Sequence, residues 1–278
     1  MYRFARKAFL AALVASTAGS AFAADLYEPP VIETTPPPVY EEVSYGGWYI
    51  RGDLDYHASR YHRGDYITYG PPAGTGQFDF GNLRSSFSIG GGVGYQVSKY
   101  FRTDLTFDYM FKSKFSGQTT GTPGSCGQPT CVSVDESSYS ALLLMANAYA
   151  DLGTYHGVTP YVGAAIGGAH LKWDDLRNTV GGVTTVHRGV KSWRFAYALM
   201  AGASYCLTDK LKLDVGYRYA KISGGRQFEY APVAGPGFDR GISIHEGRAG
   251  LRYQFSGRSE CYEPEPIAYE PPPTPIYK

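Results

Sequence analysis

The sequence predicts an all-β fold: an eight-stranded antiparallel transmembrane up-and-down β-barrel between disordered Pro-rich flanks. Three observations predict it. First, strand-length segments alternate apolar and polar residues at a period of two. In Gly247–Phe255, Ala249, Leu251, Tyr253 and Phe255 alternate with Arg248, Gly250, Arg252 and Gln254, which places the two sets on opposite faces of a strand. Second, short and long connections take turns between these segments. Third, 15% of residues are aromatic and there are 35 glycines, yet mean hydropathy is only −0.27. A mildly hydrophilic average is what results when each strand shows only alternate residues to lipid.

The chain divides into four parts. Residues 1–23 read as a secretory signal peptide: Arg3, Arg6 and Lys7 precede the apolar stretch Ala8–Ala18, and Ala21-Phe22-Ala23 makes a cleavage site. Residues 24–45 are an acidic Pro-rich segment with Asp25, Glu28, Glu33, Glu41 and Glu42 and no base. Residues 46–255 are the barrel. Residues 256–278 form a second Pro-rich tail, and the string YEPP occurs in both flanks, at Tyr27–Pro30 and Tyr269–Pro272. Such composition cannot build a core, so both flanks are expected to be extended periplasmic spacers or docking strips for an envelope partner.

Eight strands follow in order. Strand one is Gly47–His57, with Trp48, Ile50, Leu54 and Tyr56 facing lipid. Strand two is Leu83–Val97, with Phe87, Ile89, Val93, Tyr95 and Val97 outward; its run Gly90–Gly94 brings the wall close to the interior. Strand three is Tyr100–Phe111, where Phe101, Leu105, Phe107 and Tyr109 oppose Arg102, Asp104, Thr106 and Asp108. Strand four is Tyr139–Leu152. Strand five is Thr159–Trp173, whose far end shifts parity as through a bulge. Strand six is Ser192–Leu207, strand seven Lys210–Ile222 and strand eight Ile242–Phe255.

Connections after strands two, four and six are short, and those after one, three, five and seven span roughly 18–26 residues, as in barrels with short periplasmic turns and long outer loops. An even strand number puts both termini on the periplasmic side of a Gram-negative outer membrane. The longest apolar run, Ala141–Ala146, is too short for a membrane-spanning helix. A soluble secreted β-protein would carry large apolar residues on its packed face, whereas one face here carries charge or glycine.

That inward face is the main candidate site. Arg51, Asp53, Asp55, Arg102, Asp104, Asp108, Asp214, Arg218, Glu246, Arg248 and Arg252 should point into a narrow lumen, joined by Asp151, Arg194 and Lys212. Buried charges are tolerated only when paired and hydrogen-bonded, and eight strands leave an interior that side chains can fill. An ionic core that plugs the barrel follows. Arg51/Asp53, Glu246/Arg248 and Asp214/Arg218 are the expected partners on strands one, eight and seven.

GGWYIRGDLDY, NAYADLG, TPYVGAAIG, LDVGYRY and HEGRAGLRYQF resemble the strands of small alphaproteobacterial outer-membrane β-barrel surface antigens, of the OmpA/OmpX-like superfamily. The resemblance covers roughly Gly46–Phe255. It implies insertion by the outer-membrane assembly machinery, which reads a last strand ending in an aromatic. Tyr253 and Phe255 match that signal, although 23 residues follow Phe255.

Four cysteines in an oxidising compartment suggest two disulfides. Cys126 and Cys131 share one loop; Cys206 ends strand six and Cys261 follows strand eight, both near the periplasmic rim. No metal or cofactor is expected. Arg60, Arg63, Lys112 and Lys114 lie where they could meet lipopolysaccharide phosphates. Segment 46–255 carries more bases than acids, but no basic patch comes with a nucleic-acid reading motif. Barrel enzymes that modify lipid A use His, Ser and an acid. Here His57-Ala58-Ser59, His170, His187 and His245 have no second motif beside them, and a non-enzymatic reading is preferred. The expectation is a structural and surface barrel of the outer membrane, contributing to envelope integrity and surface interaction. A narrow porin-like channel is the alternative, and a lipid A-modifying enzyme the remote one.

Overall fold

The computed structural model describes residues 46–69, 73–121, 127, 129–230, 234–256 and 261. The signal peptide, the segment 24–45 and nearly all of the tail lie outside the described residues.

Eight long strands form the wall: β1 (Gly47–Tyr61), β2 (Ser86–Ser98), β3 (Phe101–Gln118), β4 (Cys131–Asp151), β5 (Val158–Trp173), β6 (Lys191–Cys206), β7 (Leu211–Ile222) and β8 (Ile242–Gln254). Each pairs antiparallel with the next. β8 then pairs with β1, Asp53 opposite Gly250, and this last ladder closes the sheet into a barrel with no free edge. No helix occurs among the described residues.

Burial alternates as the sequence pattern requires. In β1, Tyr49, Arg51, Asp53, Asp55, His57 and Ser59 are buried, while Trp48, Ile50, Leu54 and Tyr56 are exposed. The exposed face is apolar all round the ring: Leu105 is 62% and Ile166 63% accessible, which water would not tolerate over so large a patch but lipid does. Aromatic pairs border it at both ends. Trp48–Tyr95 and Tyr253–Phe255 sit at the short-turn end; Tyr56–Phe87 and Tyr109–Phe111 sit at the long-loop end.

The long connections are themselves β-structure, which the sequence pattern did not reveal. Gly64–Thr68 pairs with Gly74–Gln77, Leu176–Val180 with Val183–Gly189, and Gly225–Glu229 with Ala234–Asp239. Gly181 and Gly182, both at positive φ, make the tight turn of the second hairpin. The hairpins pair with one another and with β4. The wall is correspondingly taller than expected there: β1 runs on to Tyr61, β3 to Gln118, and β4 starts at Cys131. Leu83, the expected start of strand two, instead ends a separate strand, Phe80–Leu83, paired with the far end of β3.

The expected parity shift in β5 is absent. Its ladders to β4 and β6 are continuous, and Tyr161, Ala165, Ala169, Leu171 and Trp173 all stay buried on one face. The change of residue type on the same inward face, from glycine and alanine to leucine and tryptophan, imitated a change of face. The bulge lies in β3 instead, where Phe111 and Lys112 together oppose Ser140 and both point outward.

The glycine run of β2 behaves as expected. A Cβ on Gly90 would lie 1.9 Å from Asp108 Oδ1, and one on Gly94 2.3 Å from the Tyr49 ring. Only glycine lets the wall pass those inward side chains.

Candidate functional site

All fourteen charges expected to point inward are buried, the most accessible being Arg51 at 8%. They form layers stacked along the barrel axis. At the short-turn end, Arg102 Nε donates to Asp151 at 3.0 Å, and its guanidinium stacks between Tyr149 and Tyr161, 4.2 and 4.7 Å from the ring centroids. Arg252 Nε donates to Asp214 at 3.2 Å and its Nη2 to Ser204 at 3.0 Å. Lys212 is buried in the same layer.

In the middle, Arg51 donates to Asp53 at 2.8 Å, to Asp104 at 3.1 Å and to the Tyr149 hydroxyl at 3.0 Å. Tyr49 and Asn147 add donors to Asp104, at 3.0 and 2.6 Å. Above this, Arg248 meets Asp53, Asp55 and Asp108 at 3.1, 3.1 and 3.2 Å. Arg218 donates to Glu246 and, at 2.6 Å, to Asp108. Asp53 and Asp108 are thus shared by two arginines each way, and the upper layers form one network.

The expected partnering among the charges of strands one, eight and seven forms between neighbouring strands: Arg248 of β8 meets Asp53 of β1, and Arg218 of β7 meets Glu246 of β8. Only Asp214 pairs wholly outside the named residues, with Arg252 of β8. Arg218 and Glu246 are direct register partners, but Arg218 and Arg248 also reach past their neighbouring strands to Asp108 of β3, and sequence adjacency carries no information about that. Arg194 lies apart, near the long-loop end, bonded to Asp239 at 2.6 Å and to the Arg226 carbonyl.

The sequence reading missed the layer above the ions. Trp173, buried, is ringed by Phe228, Tyr139, Phe115 and Tyr61 at 5.4, 5.5, 5.6 and 6.2 Å between centroids. Met110, Leu143, Leu171, Ile222, Ile242 and Ile244 complete it. The strict continuation of parity through Leu171 and Trp173 was the available signal.

The histidine motif points inward. His57 Nε2 lies 3.2 Å from Ser113 Oγ, and Ser59 bonds to the Tyr139 hydroxyl. His170 stacks on Trp193, and His187 on Tyr230. Cys206 and Cys261 are disulfide-bonded, with Cα atoms 5.7 Å apart. Cys131 begins β4, and Cys126 lies outside the described residues. Tyr253 and Phe255 are exposed beside each other on the lipid face.

The four candidate lipopolysaccharide contacts separate into different settings. Arg63 joins Arg240 on Asp65, at 3.0 and 2.9 Å. Burial opposes ionisation of Asp65, but these hydrogen bonds outweigh it and hold the carboxyl below its usual range. Lys112 bonds Asp174 at 2.7 Å, which raises the ammonium pKa. Lys114 is exposed on β3 and Arg60 on β1.

A family model of the outer membrane protein β-barrel domain matches residues 9–255. An uncharacterized protein of Brucella abortus is 38% identical over 274 residues, covering 86% of this chain and 94% of the relative. Outer membrane protein PagN of Salmonella typhimurium is 28% identical over 148 residues, 51% of this chain and 60% of that protein. Among solved structures, Neisserial surface protein A is similar with a TM-score of 0.43 and 18% identity, over 75% of this chain and 97% of that one. The closed eight-strand ring, its apolar outer face and the family match agree: this chain belongs to the outer membrane β-barrel protein family.

Proposed function

We propose that this protein is a non-enzymatic structural and surface barrel of a Gram-negative outer membrane. Its short-turn end and both termini face the periplasm, its long-loop end faces outward, and its lumen is plugged. One observation carries the reading: inward charges from opposite walls join in one buried network. An ion entering that space would have to break arginine–carboxylate pairs that are already desolvated, a cost added to the loss of its own hydration. The aromatic layer around Trp173 is a second barrier beyond the first. Contact with lipopolysaccharide, host or environment then falls to the hairpins of the long-loop end, and assembly to machinery that reads Tyr253 and Phe255.

The inward direction of His57 and Ser59 supports a non-enzymatic role, because a lipid-modifying site needs them on the surface. The experiment is single-channel recording of the purified chain in planar bilayers. Silence is expected; steady openings overturn the plugged barrel in favour of a narrow channel. Lipid A mass in cells overproducing the protein is expected to be unchanged.

A further inference from the structure

Just beyond the aromatic border of the long-loop end, Ser243 of β8 lies between two cations. Lys221 of β7 is its register partner on one side and Arg60 of β1 on the other. All three are on the outward face, and the two flanking strands are roughly 10 Å apart. Like charges so placed on one face repel. Among the described residues, no carboxylate pairs with Arg60 or Lys221.

The cationic N–H groups here outnumber the neutral acceptors around them. Lys221 Nζ, the Tyr219 hydroxyl and His62 Nε2 converge on the single oxygen of Ser243, at 3.2, 3.2 and 2.7 Å. One hydroxyl has two lone pairs, while lysine and arginine together bring eight N–H groups. Ser243 is 4% accessible although it faces outward, so the surrounding side chains already close over it. Burial and the two neighbouring cations, Lys221 first, hold His62 below the ordinary histidine range. The cluster lacks anionic acceptor oxygens.

The barrel contains the same arrangement a second time, with the acceptor built in. Ser140 of β4 lies between Lys112, in the β3 bulge, and Lys172 of β5. There Asp174 supplies a carboxylate, 2.7 Å from Lys112 and 3.7 Å from Lys172, and accepts from Ser138 at 2.6 Å. A cation–serine–cation row on this rim therefore takes an anion between its two charges.

We infer that Arg60, Lys221, Ser243 and His62 form a binding site for a phosphomonoester, carried by an outer-leaflet lipid whose acyl chains lie along the apolar face below. Three acceptor oxygens and nearly two negative charges match the fork of Arg60 and the ammonium of Lys221. The headgroup sits at the height of the site because Tyr217 and Tyr219 lie directly beneath it on β7, against His245. The inference rests on the reading that the long-loop end faces outward. Its test does not use conductance, so the two can fail separately.

The test is native mass spectrometry of the full chain folded in detergent, offered phosphorylated lipid A or the same lipid with its phosphates removed. Wild type should retain the phosphorylated form. R60Q/K221Q should lose at least about tenfold in retention, the scale of lost charge-assisted bonds. K112Q/K172Q, an equal change in charge at the row that holds its own acid, should stay within about twofold. Folding of each variant is checked by its heat-dependent electrophoretic mobility. Equal retention by R60Q/K221Q, equal loss in K112Q/K172Q, or equal retention of the dephosphorylated lipid would each overturn the site. Displacement by millimolar inorganic phosphate would show that any phosphomonoester is accepted, and resistance to it that the lipid-borne one is required; both uphold the phosphate site.

Discussion

Arg218 of β7 donates to Asp108 of β3 at 2.6 Å, although three strands lie between them in either direction round the ring. The pair spans the barrel from wall to opposite wall. Arg218 also holds Glu246 of the neighbouring strand, and Asp108 also accepts from Arg248 at 3.2 Å. One cation thus links both sides of the barrel, in a medium where an unpaired charge is costly.

Removing Arg218 should therefore hurt more than removing one of its acids. R218M leaves Asp108 and Glu246 short of a partner and is expected to cost about 3–5 kcal/mol. D108N should cost less, because Arg218 keeps Glu246. The double variant should fall short of the sum, since the residues share one network. Urea unfolding in detergent micelles measures all three.

The aromatic layer should contribute stability independently of the ions. W173A is expected to cost about 3–5 kcal/mol, the range for emptying a buried tryptophan site. Bilayers containing it should stay silent, because the arginine network beneath is untouched. Steady conductance of W173A would show that Trp173, rather than the ions, closes the lumen.

The Cys206–Cys261 bridge encloses β7 and β8 with a sequence separation of 55. C261S should leave the barrel folded and lower its stability by about 2–4 kcal/mol. Reductant should do the same to the wild type. Peptide mapping without reduction should recover the two cysteines linked.

Asp65 clasps two long-loop segments through Arg63 and Arg240. Its folded pKa lies below the ordinary aspartate value. Its contribution is therefore full above that ordinary value and is lost as pH falls through the depressed one. Both arginines are largely exposed, so the effect should stay under about 1 kcal/mol. Protease cleavage within residues 62–69 should rise at low pH in wild type, and D65N should be cut as readily at neutral pH.

The glycines should sort by face. G90A puts a Cβ against Asp108 and is expected to cost about 1–3 kcal/mol. G52A, whose Cβ meets nothing within 4 Å, should be neutral to within about 0.5 kcal/mol. Equal costs would mean that Gly90 is not making room for Asp108.

The sequence by itself determined the strand number, the order of short and long connections, and which face of each strand is apolar. These follow from a period of two, a local property that needs no knowledge of neighbours: the faces of Trp48 and Arg51, or of Leu251 and Arg252, are legible along a single strand. It also showed that the inward charges must be paired. Only the tertiary structure decided with whom. Arg218 meets Asp108 because closure of the ring brings β7 opposite β3, and the reach of an arginine exceeds the spacing of adjacent strands. The same holds for Trp173, read as a change of parity until β4 and β6 on either side showed an unbroken ladder. Arg60 and Lys221 are 161 positions apart in the chain and share a serine only because β8 pairs with both of their strands. Periodicity is written along the chain, but pairing across a closed wall depends on register and distance, which no single strand contains.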